Sequence, residues 1–332
     1  MKLSELINDY GKRHAPYMKG LINHLPMGQL ALYQMTNDLQ VVKSYSEYFQ
    51  NSFNVNAVKA KYPRIDSIEA CLGKRELYES CLALIDGEVE ARGMNEVTHE
   101  ILNTYPLGMS SGLFHVIIRL AYAIEGVQLE DALLEEAKRA LAYYVTAYRG
   151  GSQFNRKVQS SHVIEEMNRL MSDSRFNPVI SSSYSMGQIM KTLYRDPEYL
   201  ESGFLIEGNE EDKVRALLGL FISAFNNTSS IVVLHCITGL HSLLVLKDYF
   251  NDFEEALNIF TTCSITHQLT LGAIDLSNQN VQPVALSWND IIKKGTESLD
   301  VHTIKFTYSC HELYKRYAIE GLKGAALSQI RK

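Results

Sequence analysis

The run 231–246 (IVVLHCITGLHSLLVL) constrains the fold more than any other stretch of the chain. At helical spacing it is apolar on every side, so a helix built from it has no face for water and must be surrounded by other elements. It falls short of the about 20 apolar residues that a membrane span needs. It also carries His235, Thr238, His241 and Ser242, polar groups that lipid would leave unsatisfied. The expectation is a buried central helix in a multi-helix protein with no membrane association.

The remaining sequence supplies the neighbours such a helix needs. With seven prolines in 332 residues and little alternation, the pattern has a 3.6-residue period almost throughout. It predicts helices over 3–10, 21–36 with Pro26 in the first turn, 39–53, and 74–103 with Gly87 and Gly93 as breaks. Further helices are expected over 112–124, 129–148, 210–225, 231–249, 253–274 and 301–327. Stretch 54–66 reads as a loop, and so does 275–282 with Pro283. Stretch 176–208, broken by Ser181 to Ser183 and Pro197, carries no readable pattern. The predicted class is all-α, a single large multi-helix domain over 1–332; whether it carries a buried metal site between helices turns on its histidines. A candidate internal linker at 149–157, with Gly150 and Gly151, does not divide it, because apolar helices lie on both sides.

Charge and cysteine content exclude several functions. Charged residues make up 21% and the net charge is −6, so there is no basic excess for nucleic acid and no clustered lysines or arginines for anionic lipid. The five cysteines are widely spaced and form no CxxC, which argues against a disulfide framework or a cysteine zinc site. The opening MKLSELINDYGKRH mixes charge into its first turns, so the expected location is the reducing cytoplasm.

The histidines carry the chemistry. Of ten, His14, His99 and His162 sit among polar residues, and His311 is nine residues past His302, about 180° round the helix. His24, His115, His241 and His302 are instead embedded in apolar helical patterns. A buried imidazole is either hydrogen-bonded within the core or bound to a metal, and facing helices build metal sites from such inward side chains. His235 precedes His241 by six residues, about 120° round the helix, so one ion would not easily take both; His267 is a further apolar histidine. In DVHTIK, Lys305 follows His302 by three residues, about 60° apart on one side of the helix. Either this pair is an ordinary helix surface, or Lys305 is desolvated. A neutral amine can take up CO2 as an anionic carbamate, an oxygen ligand beside a nitrogen ligand. Asn23, beside His24, and Arg119, a turn after His115, are candidates to orient the imidazoles. No GxSxG, GxGxxG, GxxxxGK or HExxH motif occurs, so no nucleotide or nicotinamide site is readable.

NHLPM with LALYQM, FHVIIRLAYAIE, TGLHSLL and VHTIK, in that order along nearly the whole chain, resemble the questin oxidase-like family. The resemblance implies an all-helical, O2-dependent oxygenase of polycyclic aromatic polyketides, by oxygen insertion or ring cleavage. It also implies non-haem iron, Fe(II), held by His24, His115, His241, His302 and a carboxylated Lys305. Reducing equivalents, if needed, would come from the substrate or from NADPH through a partner. Two alternatives stand beside this: an NADPH-linked Baeyer–Villiger-type oxidase, and a non-catalytic helical protein that binds an apolar ligand.

Overall fold

The helix Ile231–Val245 is buried along its length: Val232 to Leu244 all lie in the interior and only Ile231 is exposed. Each large aliphatic side chain so buried contributes roughly 1.5–3 kcal/mol, so the element depends on its neighbours. Those neighbours are His115–Leu129 on one side and Val301–Tyr317 on the other, and both pack in turn on Leu25–Thr36. The four helices close a ring.

The other helices cover this ring from outside. Leu134–Thr146 packs on His115–Leu129, with Tyr78–Arg92 behind it; Glu210–Thr228 and Phe253–Leu269 pack on Ile231–Val245. Gly321–Ile330 and Trp288–Thr296 pack on Val301–Tyr317, and Leu39–Ser52 packs on Leu25–Thr36. One cluster of buried apolar side chains runs from Leu3 to Leu327.

This arrangement comes from a computed structural model that describes residues 2–18, 21–155, 159–276 and 284–332. Among the described residues there are seventeen α-helices and two small sheets, as the all-α reading requires. No helix among them is long and apolar enough to cross a membrane. The five cysteines are free and buried.

Several boundaries differ from those expected. The 74–103 segment breaks at Gly93, not Gly87, into Tyr78–Arg92 and Met94–Thr104; Gly93 has φ 87°, a value that favours glycine. The 301–327 segment breaks at Ala318, the left-handed cap of Val301–Tyr317. The start of 21–36 is not helical: Leu21–Ile22 pairs antiparallel with His14–Met18, which also pairs with Val55–Ala57 inside the expected 54–66 loop. This small sheet fixes where the chain turns into Leu25–Thr36. Trp288–Thr296 is a helix that periodicity did not reveal. Most of the 275–282 loop with Pro283, and the end of the 149–157 linker, lie outside the described residues.

Candidate metal centre

Each helix of the ring brings its N-terminal end to the same place, and each carries a histidine there. His24 is the N-cap of Leu25–Thr36, and His115 opens His115–Leu129. His302 is the second residue of Val301–Tyr317, and His235 the fifth of Ile231–Val245. One nitrogen from each lies within 4.8 Å of all the others. His115 Nε2 is 2.7 Å from His24 Nε2 and 3.1 Å from His235 Nε2. The His302 ring is centred 4.9 Å from that of His24 and 5.3 Å from that of His235.

Local structure fixes which nitrogen faces inward. Nδ1 of His24 is 2.6 Å from the Ile22 carbonyl and that of His235 is 2.7 Å from the Ile231 carbonyl. Nδ1 of His115 meets the Gly112 carbonyl, and Nδ1 of His302 lies 3.3 Å from Asp300 Oδ1. These oxygens only accept, so in each neutral ring Nδ1 carries the proton and Nε2 presents its lone pair. Lone pairs facing each other at 2.7 Å repel unless a cation stands between them. Two nitrogens each about 2.1 Å from one ion, at a right angle, are about 3.0 Å apart. The observed spacings therefore fit neighbouring ligands of a single transition metal.

His115 reaches its place through an unusual turn. Gly112, Leu113 and Phe114 have φ of 59°, 56° and 63°, and such a conformation costs about 1–3 kcal/mol for each non-glycine residue. Packing holds it: Phe114 is buried, with its ring 4.7 Å from Phe260 and 5.0 Å from His267. The helix Ile231–Val245 passes behind it at Gly239, where a Cβ would stand 2.9 Å from that of Phe114.

The surroundings favour neutral imidazoles. Burial first, and then the neighbouring charge of Lys305 and other histidines, lowers His24, His115 and His235 well below the usual range. His302 is lowered by burial too, with Asp300 opposing. The positive ends of four helices act in the same direction. Lys305 is fully buried, and its Nζ has no hydrogen-bond partner. Burial pushes the amine down to about 7, against the pull of Asp300.

The cluster forms part of the wall of a cavity of about 1170 Å3, above the about 300–1,000 Å3 usual for small-molecule sites. Another wall is aromatic: Tyr45, Tyr48, Phe49 and Phe53 line it from the Leu39–Ser52 helix and its C-cap, with Tyr45 and Phe49 centred 6.2 Å apart and Phe49 and Phe53 4.6 Å. His267 lines the cavity as well. Its Nδ1 is 2.6 Å from the Cys263 carbonyl, and burial pushes the ring down to about 4, leaving Nε2 as an acceptor.

Three expected residues are placed differently. His241 is not in the cluster, and His235 stands there instead. The two lie about 120° apart round the helix and face different sides, and spacing alone does not say which side meets the other histidines. The Asn23 side chain is not a partner of the His24 ring; its amide donates to the Ala15 carbonyl at 3.1 Å and its oxygen accepts from Leu25 N at 3.2 Å. Arg119 is not a partner of the His115 ring either, but forms a buried 2.8 Å ion pair with Glu136. The imidazoles are oriented by backbone carbonyls and Asp300. His235 and His267, both outside the metal set that the resemblance implies, line the cavity. A usable signal for His235 was its closeness to the helix-capping Ser230, since the other three cluster histidines also stand at helix starts.

Fold and site define an all-helical protein with a buried multi-histidine centre that could hold a metal ion beside a large aromatic-walled cavity. The family model described as Questin oxidase-like matches residues 21–310, and the chain belongs to that family. No curated protein matches it.

Proposed function

We propose that the protein is a non-haem iron oxygenase, an O2-dependent oxidoreductase acting on a polycyclic phenolic or quinone-type aromatic. The observation that carries this reading is the convergence of imidazole lone pairs, each set by an oxygen on Nδ1, at the wall of an aromatic-lined cavity. Family membership supports the broader part, an oxidase of an aromatic polyketide.

His24, His115, His235 and His302 would hold the ion. Lys305 would add an anionic oxygen as a carbamate: its neutral amine attacks CO2, an N–C bond forms and the amine proton leaves. Neutral imidazoles and helix N-termini do not offset a dication, so one anionic ligand suits the site. The chemistry such an ion supplies is one-electron exchange with O2, which a closed-shell aromatic lacks. Tyr45, Tyr48, Phe49 and Phe53 hold a flat ring by stacking and keep water from it. His267 Nε2 accepts a hydrogen bond from a phenol and so orients it in the cavity. Asp300 keeps His302 in its tautomer. Any further electrons come from the substrate, or from NADPH through a partner protein.

The test is metal content of protein purified without added metal, followed by anaerobic Fe(II) titration and O2 uptake with hydroxyanthraquinones. About one iron per chain and substrate-dependent uptake are expected. Less than about a tenth of an equivalent of any transition metal, with no uptake of added Fe(II), would sink the reading.

A further inference from the structure

The cavity is charged at its exposed part, and one sign prevails there. Arg75, Arg149, Lys191 and Arg195 all line it and all are exposed, whereas the histidine cluster is largely buried. The cations thus stand towards solvent. The one acid among the described residues of the lining, Asp300, accepts from His302 N at 3.2 Å, Thr303 N at 3.0 Å and Thr303 Oγ1 at 2.8 Å. It caps a helix and is not a counter-ion for the cations. This surplus lies on a chain whose net charge is −6.

The four cations lack acidic partners among the described residues. Arg149 donates to the carbonyls of Gly73 and Tyr148 at 2.9 and 2.6 Å, and the Arg75 guanidinium lies 5.2 Å from the Tyr17 ring centroid. Lys191, in the last turn of Met186–Leu193, and Arg195, just past its end, have no such contact. A helix C-terminus accounts for one lysine there. It does not account for two arginines that reach the same cavity from elsewhere in the chain. Cations around a concave, low-dielectric mouth reinforce one another and raise the local concentration of an anion.

We infer that the substrate is an aromatic anion: a polycyclic ring bearing a carboxylate or an ionised phenol. Arg75, Arg149, Lys191 and Arg195 read its charge at the mouth while the ring lies along the aromatic wall towards the histidines. This rests on the reading of the cavity as the substrate site, and it adds orientation: the charged end stays outward and the uncharged end reaches the cluster. It also gives a role to 176–208, which lacks a readable pattern and supplies Lys191 and Arg195.

The experiment measures dissociation constants of the protein as purified for two probes of one shape, anthraquinone-2-carboxylate and anthraquinone-2-carboxamide, at low ionic strength and pH 8. The carboxylate is expected to bind about tenfold or more tightly, with the preference shrinking as salt is added. In the Lys191→Glu/Arg195→Glu double variant the preference should vanish while carboxamide affinity stays unchanged, which separates the mouth from direct binding of the carboxylate at the metal centre. Equal binding of both probes overturns the inference and leaves the aromatic cavity standing; so does a preference that survives in the double variant. A double variant that loses both probes alike also overturns it, since these residues would then be shaping the cavity and not reading charge. If neither probe binds the native protein, the substrate-site reading falls with it.

Discussion

Two groups of polar side chains lie one below the other on three of the same helices, and they differ in what their atoms lack. At the N-terminal ends are His115, His235 and His302, completed by His24. Six to ten residues further along, about 9–15 Å at 1.5 Å per residue, the same helices present Glu125, His241 and Tyr308. In the lower group the polar atoms mostly have protein partners. His241 Nδ1 is 3.2 Å from Ser309 Oγ, which is 3.0 Å from the Tyr122 hydroxyl; Tyr308 donates to Glu125 Oε1 at 2.9 Å. His241 Nε2 faces that same oxygen at 3.8 Å. In the upper group the Nδ1 atoms are satisfied and the Nε2 atoms have only one another. Buried imidazoles are therefore not equivalent: the lower one has a hydroxyl partner on Nδ1 and a carboxyl facing Nε2, and the upper four could hold a metal ion.

Substitution along one helix is the strongest way to break this contrast. His235→Ala should abolish stoichiometric metal binding, a loss beyond the about 10–100-fold that removal of an outer-shell partner costs. His241→Ala should keep its metal. Equal metal loss in both variants, measured by elemental analysis of folded protein, would place the centre elsewhere. A smaller effect is expected at Lys305, whose buried Nζ on the Val301–Tyr317 helix has no hydrogen-bond partner. Lys305→Met should weaken Fe(II) binding about tenfold or more, and added bicarbonate should not restore it, because the nitrogen that would carry the carbamate is gone. Native Fe(II) affinity in that variant would remove the carbamate and leave the histidines.

Much of the fold was legible because the helices that matter are apolar on more than one face. The run 231–246 could only be central, and His115 and His302 lie in patterns of the same kind. Directions around each helix were harder. His235 and His241 are equally apolar in context, and 3.6-residue periodicity says that they diverge without saying what lies on either side. That information sits in the ring of helices, which pairs elements up to nearly 300 residues apart, such as Leu25–Thr36 and Val301–Tyr317. The orienting partners were illegible for a related reason. Asn23 and Arg119 are candidates by their position next to His24 and a turn after His115, whereas three of the four Nδ1 atoms are met by main-chain carbonyls, which every residue possesses. The cations of 176–208 were visible as residues but had no address until Met186–Leu193 was placed on the cavity wall.

The lower group offers the finest test, because its effect should appear in stability and not in metal. Burial holds the Glu125 carboxyl up at about 8, against the hydrogen bond from Tyr308, while an unfolded chain releases that proton near its ordinary value of about 4.3. Between those two values the folded state keeps a proton that the unfolded state has lost. Stability therefore falls as pH rises through that window, with a slope of at most about 1.4 kcal/mol per pH unit for one proton. Glu125→Gln mimics the protonated carboxyl: it keeps an acceptor for Tyr308 and a donor where the second oxygen has no partner. Denaturant titrations at pH 5, 6, 7 and 8 should show native and variant proteins diverging steadily, the variant the more stable at pH 8, with iron content unchanged throughout. Parallel curves would mean that Glu125 is ionised in the folded protein, making His241 and Glu125 a second charged centre below the first. Loss of iron on Glu125→Gln would join the two groups into one, and the distinction between satisfied and unsatisfied imidazoles would no longer separate structure from function here.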